Sequence, residues 1–286
     1  MNKIKLICDS SCDLDFEYAK SLGIEVKPLS ISFNADHSYY DGVDITVDEL
    51  FQKVEEFNTT PKTAAMTPLE YENLFKKYIS EGYDVIYTGI GGGFSSSYNT
   101  GCLVASSLDE GVVEVVDSEN LSTGIALILF KALEWIKEGK DVHQVAELMR
   151  KQAKLVRSQF AIDTMDYLYK GGRCGGMAKI FGSILKIKPI ILVRDNQMVV
   201  GGKPRGKILV AIDQMLEMLK ADIDKLDRDS VITITHSKAG EYITYVLEQI
   251  EHIIPGAKTL VTNAGCIVSS HCGPGTIGIF YQLKAE

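Results

Sequence analysis

Short apolar runs alternate with longer segments of helical period through the first half of the chain, and this alternation constrains the fold more than any other feature. Ile4–Cys8 (IKLIC) and Val26–Phe33 (VKPLSISF) read as strands, and Val47–Phe57 and Leu69–Ile79 as helices. Thr67-Pro68 gives the second of these helices an N-cap followed by proline at its first position. Val85–Thr88 reads as a strand, Ser96–Leu108 as a helix and Val112–Val116 as a further strand, before helices over Thr123–Glu138 and Val142–Leu155. Strands separated by helices predict a parallel sheet covered on both faces. The texture changes near residue 156, where RSQFAI opens a second α/β region. There the pairs Gly171–Gly172 and Gly175–Gly176 break the chain into short helices. Strands over Ile187–Val193, Met198–Val200, Val231–His236, Lys258–Val261 and Gly278–Tyr281 then interleave with helices over Gly206–Leu219 and Gly240–Ile250. Two domains are expected, 1–155 and 156–286.

The bulk properties exclude several classes. With 286 residues the chain can bury a substantial core. A formal net charge of −8 argues against a sequence-independent nucleic-acid binder, which needs a concentrated basic footprint. The start MNKIKLICDS has no long apolar stretch, so no secretory signal is expected, and no apolar run reaches membrane-spanning length. The six cysteines, Cys8, Cys12, Cys102, Cys174, Cys266 and Cys272, are too sparse for a disulfide scaffold and lack zinc-type spacing. They read as reduced thiols of a cytoplasmic protein without a metal.

Residues 89–101, GIGGGFSSSYNTG, follow a strand directly. Glycines there permit close backbone approach, and the serines stand where a helix begins, a place suited to an anion. Ser95 as a simple helix cap is the competing reading. The dinucleotide fingerprint fails at Phe94, and the nucleophile elbow fails because Ser97 stands where its last glycine should be. Gly201–Ile208, GGKPRGKI, approaches a phosphate loop, but Ile208 stands where Ser or Thr must hold Mg²⁺. In PKTAAMTP (61–68), Thr67 has a capping task and Thr63 has no evident local one. Arg173 lies between glycine pairs in YKGGRCGGM, where a guanidinium can reach an anion. His271 precedes Gly-Pro-Gly, a rigid turn, and reads as a loop residue.

Taken together, ICDSSCDL (7–14), PKTAAMTP (61–68), GGGFSSSY (91–98), VVDSENLSTG (115–124), MDYLYKGGRCGG (165–176), ILKIKPII (184–191) and HCGPGTIG (271–278) resemble the DegV family in order and spacing, across about residues 3–284. The resemblance implies an N-terminal three-layer α/β/α domain around a parallel sheet and a C-terminal α/β domain with a mixed sheet. It implies a long-chain fatty acid such as palmitate bound between them, with no other cofactor. It also implies kinship with the lipid-binding subunit of a bacterial fatty-acid kinase, whose separate subunit supplies ATP and makes the acyl-phosphate. On this reading the chain is not itself an enzyme and has no transmembrane segment, though transient contact with a membrane surface is compatible with it. By position, Thr63, Ser95 and Ser96 would meet the carboxylate, and Arg173 and His271 would serve phosphoryl transfer or docking of the kinase. The chain departs from the family pattern at Ala64-Ala65-Met66, where Ser-Gln-Pro is common, at Ser96 and Ser97, where Gly and Thr are usual, and at Cys272. The reading from a different class is a small-molecule kinase or phosphatase using Gly91–Gly93 and Gly201–Lys207 for phosphates. A third is a regulatory protein whose lipid is structural.

Overall fold

A computed structural model describes residues 3–108, 111–174 and 187–285. The expected features at Gly175–Gly176 and at 184–186 lie outside these residues.

The first half builds strand β1 (Lys3–Asp9), helix α1 (Phe16–Ser21), strands β2 (Glu25–Lys27), β3 (Ser30–Asn34) and β4 (His37–Tyr40), helix α2 (Val47–Glu56), strand β5 (Lys62–Ala64) and helix α3 (Pro68–Ser80). Strand β6 (Tyr83–Gly89), helix α4 (Ser97–Ser106), strand β7 (Val113–Asp117) and helices α5 (Thr123–Lys137) and α6 (Val142–Ala153) follow. The sheet β2-β1-β6-β7 is parallel throughout. Its strands bury both faces by alternation. Ile7, Val85, Tyr87 and Val115 point toward Tyr71 and Phe75 of α3 and Val104 of α4. Leu6, Cys8, Ile86 and Val116 point the other way, into the core that holds α5 and α6. This is the three-layer arrangement.

The expected strand Val26–Phe33 is in fact two, β2 and β3, because Pro28 falls between them and cannot donate to a ladder. The second piece leaves the parallel sheet and centres a small antiparallel sheet, β4-β3-β5, that the sequence reading did not anticipate. Thr67 caps α3 as expected. Its Oγ1 accepts from the Glu70 N–H while Glu70 accepts the Thr67 N–H at 2.7 Å, a reciprocal capping box.

The second half contributes strand β8 (Val156–Ala161), helix α7 (Asp166–Lys170), strands β9 (Ile190–Arg194) and β10 (Gln197–Gly202), helix α8 (Ile208–Ala221) and strand β11 (Ile232–Ser237). Helix α9 (Ile243–Ile253), strand β12 (Thr259–Asn263), helix α10 (Cys266–Cys272) and strand β13 (Thr276–Gln282) complete it. Six strands in the order β10-β9-β8-β13-β11-β12 form a mixed sheet, parallel only at β11–β12. Helices α8 and α9 cover one face through Ile212, Met215, Val246 and Ile250. The other face turns Phe160, Ile191 and Phe280 into the same core as α5. Helix α5 therefore lies between the two sheets, and Ile125 through Leu129 are all fully buried. The even spread of apolar residues on its first turns is what such a central helix requires. Among the described residues no helix is long and apolar enough to cross a membrane.

Candidate functional site

A cavity of about 370 Å³ is lined by residues of both halves of the chain. Thr63, Ser95, Ser96, Arg173 and His271 all line it, three from the first half and two from the second. Leu121, Phe160, Met198 and Phe280 supply apolar wall. The volume falls within the range of small-molecule sites, and the mixture of apolar lining with a few convergent polar groups is their usual chemistry.

The residues reach the cavity by routes the sequence only partly shows. Thr63 lies in the short strand β5, opposite Ile31, and not in a loop. His271 lies in the last turn of α10, not in the turn that follows. Arg173 follows α7, where Gly172 at φ +71° reverses the chain and the Arg173 N–H returns to the Leu168 carbonyl at 2.9 Å. The side chains then meet. Thr63 Oγ1 stands 2.9 Å from His271 Nε2. The Arg173 guanidinium donates to the carbonyls of Gly171 at 2.7 Å and Phe94 at 3.3 Å, and among the described residues no carboxylate pairs with it. The half-buried cation therefore leaves the site with an uncompensated positive charge. Burial holds its pKa below the ordinary arginine value.

Burial, together with the charge of Arg173, pushes His271 down to about 4, so the ring is neutral at physiological pH. Its buried Nδ1 has no hydrogen-bond partner among the described residues and faces Gly171, where an added Cβ would stand 2.3 Å from it. A lone pair is a cheaper orphan than an N–H. The network thus assigns the proton to Nε2, which donates to Thr63 Oγ1 and leaves the threonine proton free to point into the cavity.

The glycine loop bears on the alternative reading that used Gly91–Gly93 for phosphates. Its N–H groups are taken by the chain itself. Gly91 N–H donates to the Asn120 carbonyl at 2.8 Å, Gly92 N–H to Asp117 at 3.0 Å and Gly93 N–H to Asn196 at 3.0 Å. The close approach that glycine permits is to the chain itself: a Cβ on Gly93 would stand 1.8 Å from the Asn196 carbonyl oxygen. Ser95 also has a local task, accepting the Ser97 N–H at 3.2 Å and meeting the Ser97 hydroxyl at 3.0 Å. The hydroxyl of Ser96 has no partner among the described residues and is exposed. Ser95 and Ser96, and not Gly91–Gly93, line the cavity. The near phosphate loop also dissolves into structure. Gly201 and Gly202 lie in β10, Gly202 opposite Ile190, and a Cβ on Gly201 would meet Leu192 at 2.6 Å.

The sequence reading gave no role to Asp13 of ICDSSCDL or to Asp41, yet the two hold the helix that carries His271. Asp13 accepts from Ser122 Oγ at 2.6 Å and from the Gly265 N–H at 2.7 Å. Asp41 accepts the Cys266 N–H at 2.7 Å. Carboxylates of the first half thus hold the start of α10, whose far end presents His271. Burial raises the pKa of both, that of Asp13 well above the ordinary carboxylate value, despite these bonds. A spacing of more than 220 residues hides such a contact from any local pattern.

The comparisons with known proteins agree with this architecture. Residues 3–284 match the model of a family described as "Uncharacterised protein, DegV family". A DegV domain-containing protein of Clostridium perfringens is 33% identical over 290 residues, covering 98% of this chain and 99% of its own. Among solved structures, a DegV family protein of Thermus thermophilus, described for its fatty acid binding, superposes with a TM-score of 0.89 at 27% identity over 99% of this chain and all of its own. A stearic acid-binding protein of Eubacterium ventriosum gives 0.87 at 27% identity, covering 99% of each chain. Matched from one end to the other by the family model and by a relative one-third identical to it, the chain belongs to the DegV family.

Proposed function

We propose that the cavity holds a long-chain fatty acid such as palmitate, its carboxylate at Thr63 and Ser95 beside Arg173 and its tail along the apolar wall. One observation carries this reading: polar groups from both halves converge at one apolar cavity around a guanidinium with no carboxylate partner among the described residues. The fatty-acid and stearic-acid binding of the Thermus and Eubacterium relatives supports it. The engagement of Gly91–Gly93 by the chain itself counts against a phosphate cradle, and so against the kinase or phosphatase reading. Organic extraction of the freshly purified protein, followed by mass spectrometry, tests the choice. A bound long-chain acid is expected, and a bound nucleotide would overturn the reading.

The headgroup roles are tested separately. Ser95→Ala and Thr63→Ala each remove one donor to a charged group, worth about 1.5–3 kcal/mol, or about 10- to 150-fold in affinity. Titration with palmitate should show that loss in both variants, and parental affinity in both would remove the hydroxyls from the site.

The protein's place in metabolism is proposed as presentation of the bound carboxylate to a separate kinase subunit. Alone it should neither hydrolyse ATP nor phosphorylate its lipid. With a matching kinase subunit, acyl-phosphate should form, and Arg173→Ala should lose turnover far more than lipid binding. A guanidinium beside a transferring phosphoryl group acts mainly where charge develops. Saturating kinase should restore a docking defect but not a catalytic one. Normal turnover of Arg173→Ala at every kinase concentration would discard both roles.

A further inference from the structure

We infer that Asn196 and Asp117 are positioning residues that latch the glycine loop across the two halves of the molecule, and thereby hold Ser95 at the cavity and slow the release of a bound acid. The inference rests on the fatty-acid reading for its ligand and on the hydrogen bonds alone for its geometry. Asn196 Oδ1 accepts the Gly93 N–H at 3.0 Å, and Asn196 Nδ2 donates to Asp117 Oδ2 at 2.8 Å. Asp117 Oδ1 accepts the N–H groups of Gly92 at 3.0 Å and Glu119 at 2.9 Å. The loop is thus held from below by a carboxylate at the end of β7 and from the opposite half by an amide on the β9–β10 hairpin. Ile90, Phe94, Ser95 and Ser96 of this segment, and Met198 of the strand that leaves the hairpin, all line the cavity. A loop that moved would take one wall and one headgroup donor with it.

The residue type at 196 supports a task beyond the turn. Asp195 and Asn196 both have positive φ, 49° and 59°, between the paired residues Arg194 and Gln197. A two-residue turn of this kind accepts glycine or aspartate as readily as asparagine. Of these three, asparagine alone carries both an oxygen that accepts from Gly93 and an N–H that donates to the Asp117 carboxylate. The glycines complete the fit, since side chains at 91 or 93 would strike Asn196 at 2.6 Å and 1.8 Å.

The full-length chain tests this through Asn196→Asp and the exchanged pair Asn196→Asp with Asp117→Asn. The single variant keeps the acceptor for Gly93 but sets two carboxylates face to face and removes the donor. The pair restores every bond with the polarity reversed: the amide now at position 117 would donate to the carboxylate now at 196, while its carbonyl oxygen still accepts from Gly92 and Glu119. Two quantities are measured, hydrogen exchange of residues 91–97 without ligand and release of bound palmitate to phosphatidylcholine vesicles. Loss of a hydrogen bond to a charged group predicts exchange and release each about tenfold faster, or more, in Asn196→Asp. Both should return to within about threefold of the parent in the exchanged pair, allowing for the usual scatter of coupling between neighbours. Unchanged exchange in the single variant overturns the latch whatever the ligand. Faster exchange with unchanged palmitate release overturns its role in holding the acid. Failure of the exchanged pair to recover shows that only the local fold was damaged, which also overturns it. If the parent binds no palmitate, the fatty-acid reading falls and the positioning role falls with it, while the exchange measurement still reports whether the loop is latched.

Discussion

Affinity should climb by two to three orders of magnitude, about 10²–10³-fold, between decanoate and palmitate, since each buried methylene contributes roughly 0.8 kcal/mol and ordering the tail takes back part of it. The walls set this expectation. Phe160 and Phe280 stand on the inner face of the six-stranded sheet, and Leu121, just before α5, and Met198, in β10, line the same cavity. These surfaces offer a tail little beyond dispersion and exclusion of water, so the increment per methylene should be nearly constant while the tail still has wall beside it. The carboxylate contacts do not change with length and set only the offset. Where the cavity ends, the increment should vanish or reverse, because an extra methylene must then displace packed side chains or emerge into water. A series of saturated acids in one titration format reads both the slope and the break. Equal affinity for decanoate and palmitate would show that the tail does not lie in this cavity, even if the headgroup does.

What the sequence could and could not reveal follows from the range of the interactions involved. The parallel sheet was legible because Ile4–Cys8 and Val85–Thr88 are apolar on both faces, and a strand of that kind must be covered on both sides. The cap at Thr67 was legible because its partner, Glu70, is only three residues away. Strands β4 and β5 were not, since their residues are mostly half-exposed or exposed and carry no apolar run. Helix α10 was missed because it is short, begins at Gly265 without a side-chain cap, and is held instead by carboxylates from the first half. The reach of Thr63 was visible only as a missing local task, and the structure supplies a partner 208 residues away. The glycine loop was ambiguous for a related reason. Three adjacent glycines signal that something approaches the backbone closely, but residue type alone does not distinguish a bound anion from the hairpin turn at Asn196.

Stability at mild acidity should fall more steeply in the parent than in His271→Gln, by about 1.4 kcal/mol per pH unit between pH 6.5 and about 4. In the fold, burial and the neighbouring Arg173 keep the His271 ring neutral down to about 4, whereas an unfolded histidine takes its proton near 6.5. Between those values the unfolded chain binds the additional proton, so acid favours unfolding. The contribution of the neutral ring is complete above pH 6.5 and is lost as the pH falls toward 4. Asp9, Asp13 and Asp41 act with the opposite sign, because burial raises their pKa and the folded chain takes up protons first. Their stabilising effect is present at low pH and is lost as the pH rises through their folded values. His236, held below its ordinary value by burial, acts in the same sense as His271. The parent alone therefore shows only a sum. The difference between parent and His271→Gln cancels the aspartates and His236 and isolates the one ring. Chemical denaturation at pH 7 and at pH 4.5 should give a difference that changes by about 2.5 kcal/mol between the two, with the variant losing less. A difference that stays constant across that range would mean that His271 titrates alike in the folded and unfolded chain. The ring would then be exposed to water and charged in acid, which its burial behind Gly171 and its contact with Thr63 do not allow.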